Sequence, residues 1–215
     1  MARSEKYIPA FGHDWLTPLY DPFLRWGMRE DVFKRALVRQ AQIRPGHRVL
    51  DLGCGTATLT ILLKQLHPEA VIAGLDGDER VLEIGRAKAS KAGIDITLDH
   101  GMAFQLPYPD NSFDRVVSSL VMHHLSTEDK RRTANEAFRI LRPGGELHVV
   151  DFGKPHNAAA RLMGAVAQHL ERAADNIQGR LPEMFRAAGF VAVEETARYF
   201  TLVGTLSAYR AVKPR

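Results

Sequence analysis

The stretch Val49-Leu50-Asp51-Leu52-Gly53-Cys54-Gly55-Thr56 constrains this chain more than any other. Val49 to Leu52 reads as a buried strand, the two glycines as a tight turn, and Thr56 as the start of a helix. Glycines at the carboxyl end of a strand let a ligand approach the backbone, because no Cβ stands in the way. The next helix offers free N–H groups and the positive end of its dipole. A second apolar run, Val71-Ile72-Ala73-Gly74-Leu75, closes on Asp76, 21 positions after Gly55. That separation suits a β-α-β unit in which an acid at the next strand tip holds ribose hydroxyls. The sequence thus predicts a nucleoside site at the carboxyl edge of a parallel sheet.

Two phosphate-binding turns do not fit. A G-x-G-x-x-G dinucleotide turn needs glycine at position 58, where Thr58 stands. No G-x-x-x-x-G-K-[ST] occurs in the chain. The segment instead closely resembles motif I of the class I S-adenosylmethionine-dependent methyltransferases, whose usual form here is Asp-hydrophobic-Gly-Cys-Gly-Thr-Gly. Ala57 replaces the third glycine, and its methyl is expected to narrow the space beside the ligand.

The resemblance runs over roughly positions 45 to 153. Leu106-Pro107-Tyr108-Pro109-Asp110-Asn111-Ser112-Phe113-Asp114 matches a family loop and strand start. Val116 to Leu125 matches strand four and the residues just after it, and Leu141-Arg142-Pro143-Gly144-Gly145-Glu146-Leu147 the turn into strand five. Phe152-Gly153-Lys154-Pro155 is similar to the same place in the ubiquinone/menaquinone-biosynthesis C-methyltransferases, the methyltransferase type 11 group. Met102 stands where the family often has an Asp that meets the adenine amino group, so adenine recognition is expected to use backbone groups and Met102 packing.

The resemblance implies S-adenosylmethionine as methyl donor and S-adenosylhomocysteine as product. It also implies an α/β fold: a doubly wound, mostly parallel seven-stranded Rossmann-like sheet with an antiparallel C-terminal edge pair. Asp51 would anchor the turn or the cofactor's ammonium, with capping of the next helix as the structural alternative. Gly53, Cys54 and Gly55 would line the methionine portion, and Thr56 would add a hydrogen bond. Asp76 would accept from the ribose, with Gly77, Met102 and Ala103 at the adenine. Ser119 and Leu120 would face the methionine end, and Tyr20 would reach over the cofactor or pack in the core.

His123 and His124 come after strand four at the edge of the ligand crevice. Either a base there takes a proton from the acceptor, or the pair packs under a cover. The single cysteine, Cys54, excludes internal disulfides and a cysteine metal cluster and reads as a small buried residue rather than a nucleophile. His13, His100 and His156 lack ligand spacing, so no metal is expected. Ser118-Ser119-Leu120 replaces the [DN]-P-P-[YF] of amino-methylating nucleic-acid enzymes, which points to a small organic acceptor, quinone-like or a natural-product intermediate. The rival reading is a non-catalytic S-adenosylmethionine-binding partner subunit.

At 215 residues, 45% hydrophobic and 25% charged, the chain can bury a full core. Its net charge of +4 is mild. Arg25, Arg29, Lys34, Arg35, Arg39 and Arg44 suit one solvated helix face rather than a nucleic-acid footprint. No stretch approaches about 18 apolar residues and no secretory h-region is present, so a cytoplasmic monomer or homodimer is expected. Periodicity predicts helices near 20–43, 56–66, 78–91, 128–140, 157–175 and 180–188. Strands are predicted near 47–51, 70–75, 95–99, 112–119 and 145–150, with an edge pair from 190–196 and 199–210. Residues 1–215 read as one domain, with 1–44 as an N-terminal cover and 153–178 as a helical insertion over the site. In that insertion Leu162, Met163, Val166, Leu170, Ala174 and Ile177 fall on an apolar face; Arg161, Gln168, Glu171, Arg172 and Asp175 fall on a polar one.

Overall fold

Alternating valines and leucines build two cores at once. In β1 (Arg48–Leu52) the residues from Val49 to Leu52 are all buried, as a strand covered on both faces requires. Leu50 and Leu52 join one apolar cluster and Val49 the other, in keeping with the two-residue period of a strand. β1 pairs in parallel with β2 (Val71–Asp76) and with β4 (Phe113–Ser119). β3 (Thr97–His100) lies outside β2, and β5 (Leu141–Phe152) outside β4, both parallel. β6 (Val191–Thr201) and β7 (Gly204–Val212) run antiparallel, giving the order β3-β2-β1-β4-β5-β7-β6. This is the expected seven-stranded sheet. The structure is a computed structural model that describes residues 30–155, 173–201 and 204–215.

Helices cover both faces. α1 (Glu30–Gln40) and α2 (Thr58–Leu66) bury Phe33, Leu37, Leu59 and Leu63 against Val49, Val117 and Val150. α4 (Thr127–Ile140) and α6 (Leu181–Ala187) bury Ala134, Ile140, Leu181 and Phe185 against Leu50, Val116 and Val149. Between them in sequence lie α3 (Glu79–Ala92) and the single turn α5 (Ala174–Ile177). Asp78 caps α3 by accepting from Arg80 N at 2.9 Å, and Ser126 caps α4 by accepting from Asp129 N at 3.1 Å. No helix among the described residues is long and apolar enough to cross a membrane.

Several expected boundaries move, each for a local reason. α1 ends at Gln40 rather than 43, and residues 20–29 lie outside the described region. α2 begins at Thr58, not Thr56, because Ala57 takes the left-handed conformation (φ 61°, ψ 24°) that glycine usually supplies. β5 begins at Leu141 instead of 145. Leu141 pairs with Phe113 and Glu146 with Arg115, so residues 142–145 bulge from the ladder. Of the helix expected over 157–175, residues 156–172 lie outside the described region, as does most of the N-terminal cover. Where that segment re-emerges, Ala174 is exposed and Asp175 buried, the reverse of the expected faces. Asp175 is buried because Thr127, Lys130 and Arg180 all reach its carboxylate.

Candidate active site

The carboxyl ends of the parallel strands meet at one edge, and the glycine turn leaves β1 there. Gly53 and Gly55 take positive φ (73° and 53°). The N–H groups of Gly53 and Cys54 both donate to Leu75 O, at 2.8 and 3.0 Å, and Gly55 N donates to Asp76 Oδ2 at 2.8 Å. Asp76 Oδ1 accepts from Asp78 N at 3.0 Å. Burial raises the Asp76 carboxyl above its ordinary range, and the Gly55 and Asp78 N–H groups oppose that rise.

The two glycines serve different ends. A Cβ on Gly53 would stand 2.3 Å from Val121 Cγ2, so this residue makes room for the segment after β4. A Cβ on Gly55 would meet nothing within 4 Å among the described residues, which leave this side of the turn open. Cys54 turns inward against Ala57, Leu82 and Leu98, and burial pushes its thiol far above the usual range, which rules out a thiolate nucleophile. Thr56 Oγ1 accepts from Lys88 Nζ at 2.7 Å. Ala57 does not narrow a ligand space. It is fully buried, and its Cβ faces Gly85, where an added Cβ would come within 3.0 Å.

Asp51 lies one residue before the end of β1, with Oδ2 accepting from Thr60 Oγ1 of α2 at 2.7 Å. It ties strand to helix through the hydroxyl and the backbone N–H of Thr60 in the first turn of α2. Burial pushes its carboxyl up to about 6, against the pull of the Thr60 hydroxyl and the Lys34 charge. At the neighbouring strand tip Met102 Sδ covers Gly77, 3.1 Å from where a Cβ would stand. Gly77 O meets His100 Nε2 at 3.1 Å, and Ala103 packs on the Leu50 cluster.

At the end of β4, Ser119 Oγ is buried with no hydrogen-bond partner among the described residues. Leu120 adopts φ 61°, a conformation that costs a non-glycine residue about 1–3 kcal/mol. Its N–H still donates to Val150 O at 2.9 Å, holding the strained tip to β5. A 3-10 turn, Met122–His124, comes next. Met122 N donates to Asp151 Oδ2 at 2.7 Å and His123 Nδ1 to Asp151 Oδ1 at 2.9 Å. Phe152 N and Asn176 Nδ2 also donate to Oδ1, at 2.7 and 3.0 Å. Burial would raise the Asp151 carboxyl, but the His123 ring, the Phe152 N–H and the nearby His124 together hold it below its ordinary value. The His123 ring is buried edge-on to Phe152, while exposed His124 lies 3.9 Å from it.

The two histidines are thus unlike. Because a carboxylate only accepts, His123 carries its proton on Nδ1 and keeps Nε2 as the basic nitrogen. Sequence reading missed Asp151 and Asn176. The signal available for Asp151 was one acid in the apolar run Val149-Val150-Asp151-Phe152; for Asn176 there was none. Tyr20 lies outside the described residues. The residues present fit a nucleoside cofactor bearing an ammonium group: two partly satisfied carboxylates, an open glycine face, and an orphaned serine hydroxyl at the same sheet edge.

Comparison with known proteins agrees. The methyltransferase domain family matches residues 49–145. The demethylmenaquinone methyltransferase of Symbiobacterium thermophilum is 32% identical over 210 residues, covering 84% of this chain and 82% of that protein. The protein of the same name from Geobacillus stearothermophilus is 34% identical over 194 residues, covering 80% and 79%. Among solved structures, phosphoethanolamine N-methyltransferase 2 of Haemonchus contortus, in complex with S-adenosyl-L-methionine, superposes with a TM-score of 0.71 at 17% identity. That match covers 85% of this chain and 52% of that one, and it bears on the fold. The chain belongs to the class I S-adenosylmethionine-dependent methyltransferases, in the group resembling the ubiquinone and menaquinone C-methyltransferases.

Proposed function

We propose that the chain methylates a quinol-like aromatic ring, with His123 as general base. The observation that carries this reading is the buried His123–Asp151 pair at the tip of β4, beside the glycine turn. The names of its relatives point the same way. The bound cofactor supplies an electrophilic methyl group on a sulfonium. Asp76 accepts from the ribose hydroxyls, while Gly77, Met102 and Ala103 flank the adenine. Asp51 holds the ammonium, directly or through water. Gly53, Cys54, Gly55 and Thr56 shape the turn against the methionine portion, and Ser119 and Leu120 close its other side.

His123 Nε2 takes the proton of a ring hydroxyl, the electron-rich ring carbon accepts the methyl, and the hydrogen on that carbon passes to the ring oxygen as aromaticity is restored, so that one proton in all stays on His123. Asp151 fixes the ring's tautomer and stabilises the imidazolium, as a buried carboxylate does for a histidine base. Transfer at a sulfonium must proceed away from water. The cover and the acceptor pocket are assigned to residues 1–44 and 153–178, most of which, Tyr20 included, lie outside the described residues. The chain acts in the cytoplasm as a monomer or homodimer.

The test is transfer of labelled methyl from S-adenosylmethionine to a reduced naphthoquinol, with a catechol and a primary amine as controls. Labelled C-methyl naphthoquinol as the main product supports the reading. Transfer to the amine alone, or none to any ring, overturns it.

A further inference from the structure

Asn176 is fully buried in α5, and it donates Nδ2 to the same oxygen, Asp151 Oδ1, that accepts from His123 Nδ1. The amide orientation is fixed by chemistry, since a carboxylate offers no proton and only the Nδ2 end can face it. Among the described residues Asp151 thus receives four donors, Met122 N on one oxygen and Phe152 N, His123 and Asn176 on the other. Three of these come from the turn after β4 and from β5. Asn176 comes from α5, and its neighbour Asp175 fastens that turn to α4 through Thr127 Oγ1 at 2.6 Å and Lys130 Nζ at 3.2 Å. The anchor is strong enough to keep Lys130 fully buried.

We infer that Asn176 is a positioning residue that keeps His123 neutral and therefore able to act as a base; this rests on the base reading of the proposed function. A carboxylate beside an imidazole stabilises the imidazolium, and a histidine already protonated takes no proton from an acceptor. Every further donor to the shared oxygen draws off part of that negative charge. Asn176 is the side-chain donor best suited to this, because it carries no charge and cannot itself titrate. Its Oδ1 is buried with no partner among the described residues, so the Nδ2 end is held on Asp151 while the acceptor end is left over. The charged and titratable groups around the array are His124 from the same turn, Lys130 from α4, Tyr209 from β7, and Asp175 with Arg180, which pair at 3.2 Å. All of these remain when Asn176 is changed.

The experiment is an NMR titration of the His123 ring in the full chain, read beside the pH profile of kcat/KM. Asn176→Leu keeps the volume and removes the donor; Asn176→Ala removes both. In each the acid limb of the kcat/KM profile should move to higher pH, and the His123 ring resonances should move with it. S-adenosylmethionine affinity should be unchanged. A His123 titration that does not move in a folded variant overturns the proposal, as does failure of both variants to fold, which would make Asn176 a structural residue. The base reading fails separately, if His123→Ala keeps its turnover, and the NMR titration needs no turnover.

Discussion

The Gly55 N–H donates to Asp76 Oδ2 at 2.8 Å, so the turn leaving β1 is latched to the tip of β2. Asp76 Oδ2 accepts the Gly55 N–H and Oδ1 the Asp78 N–H, and a carboxylate has further lone pairs for ribose hydroxyls. Asp76→Ala should weaken S-adenosylmethionine binding by about 1.5–3 kcal/mol, as expected for loss of a charged acceptor. Asp76→Asn, which keeps one acceptor oxygen, should lose less. Calorimetric titration reads both, and a wild-type affinity in the alanine variant would remove Asp76 from the ribose.

Asp51 titrates near 6 in the folded chain because it is buried, and unfolded Asp titrates near 3.9. A raised folded value means that the stability linked to this proton is fully present below about pH 4 and is lost as pH rises through 6. Asp51→Asn has no such loss. Its stability relative to wild type should climb between about pH 4 and pH 8, by up to about 3 kcal/mol. An ammonium partner favours the ionised carboxylate, so wild-type cofactor affinity should strengthen from about pH 5 to pH 7 while that of the variant stays flat. Parallel slopes in wild type and variant would show that Asp51 does not meet the ammonium.

His123→Ala should lower kcat by about 10²–10⁴-fold with cofactor affinity retained. His124 is exposed, and the carboxylate bond belongs to His123. His124→Ala should therefore cost less than about tenfold, below the range for a general base. Equal losses in the two variants would mean that the ring pair acts by packing.

Ala57 holds a left-handed conformation that disfavours any residue with a Cβ, so Ala57→Gly should be neutral or stabilising by up to about 1 kcal/mol. The converse change, Gly85→Ala, would bring a Cβ to 3.0 Å from both Ala57 Cβ and Leu98 Cδ1. It should destabilise by about 1–3 kcal/mol, and the double variant Ala57→Gly/Gly85→Ala should recover part of that. Denaturant melts of the four proteins decide it.

The strands and the nucleoside turn were legible because each is local. Val49 to Leu52 is an apolar run, and Asp76 lies one β-α-β unit after Gly55. What escaped depends on residues that meet only after folding. Val121 explains Gly53, Gly85 explains Ala57, and the Asp151 array draws on positions 122, 123, 152 and 176. Polarity misled at Asp175, since helical periodicity sends an acid to solvent unless a partner such as Lys130 is known to be waiting. Ser119 was placed at the ligand edge from motif order alone; that its hydroxyl lacks a partner is visible only in three dimensions.

β7 comes after β6 in the chain yet lies inside it in the sheet, between β5 and β6. During synthesis, therefore, the outer edge of β5 from Glu146 to Phe152 has no strand to pair with until residue 212 has left the ribosome. An open, apolar strand edge is a template for other chains. The nascent protein must carry that exposed edge through the time needed to translate some sixty residues, several seconds at about 5–20 residues per second. Chaperone demand should concentrate in that window, and substitutions in β7 should lower soluble yield more than equally destabilising ones in β3.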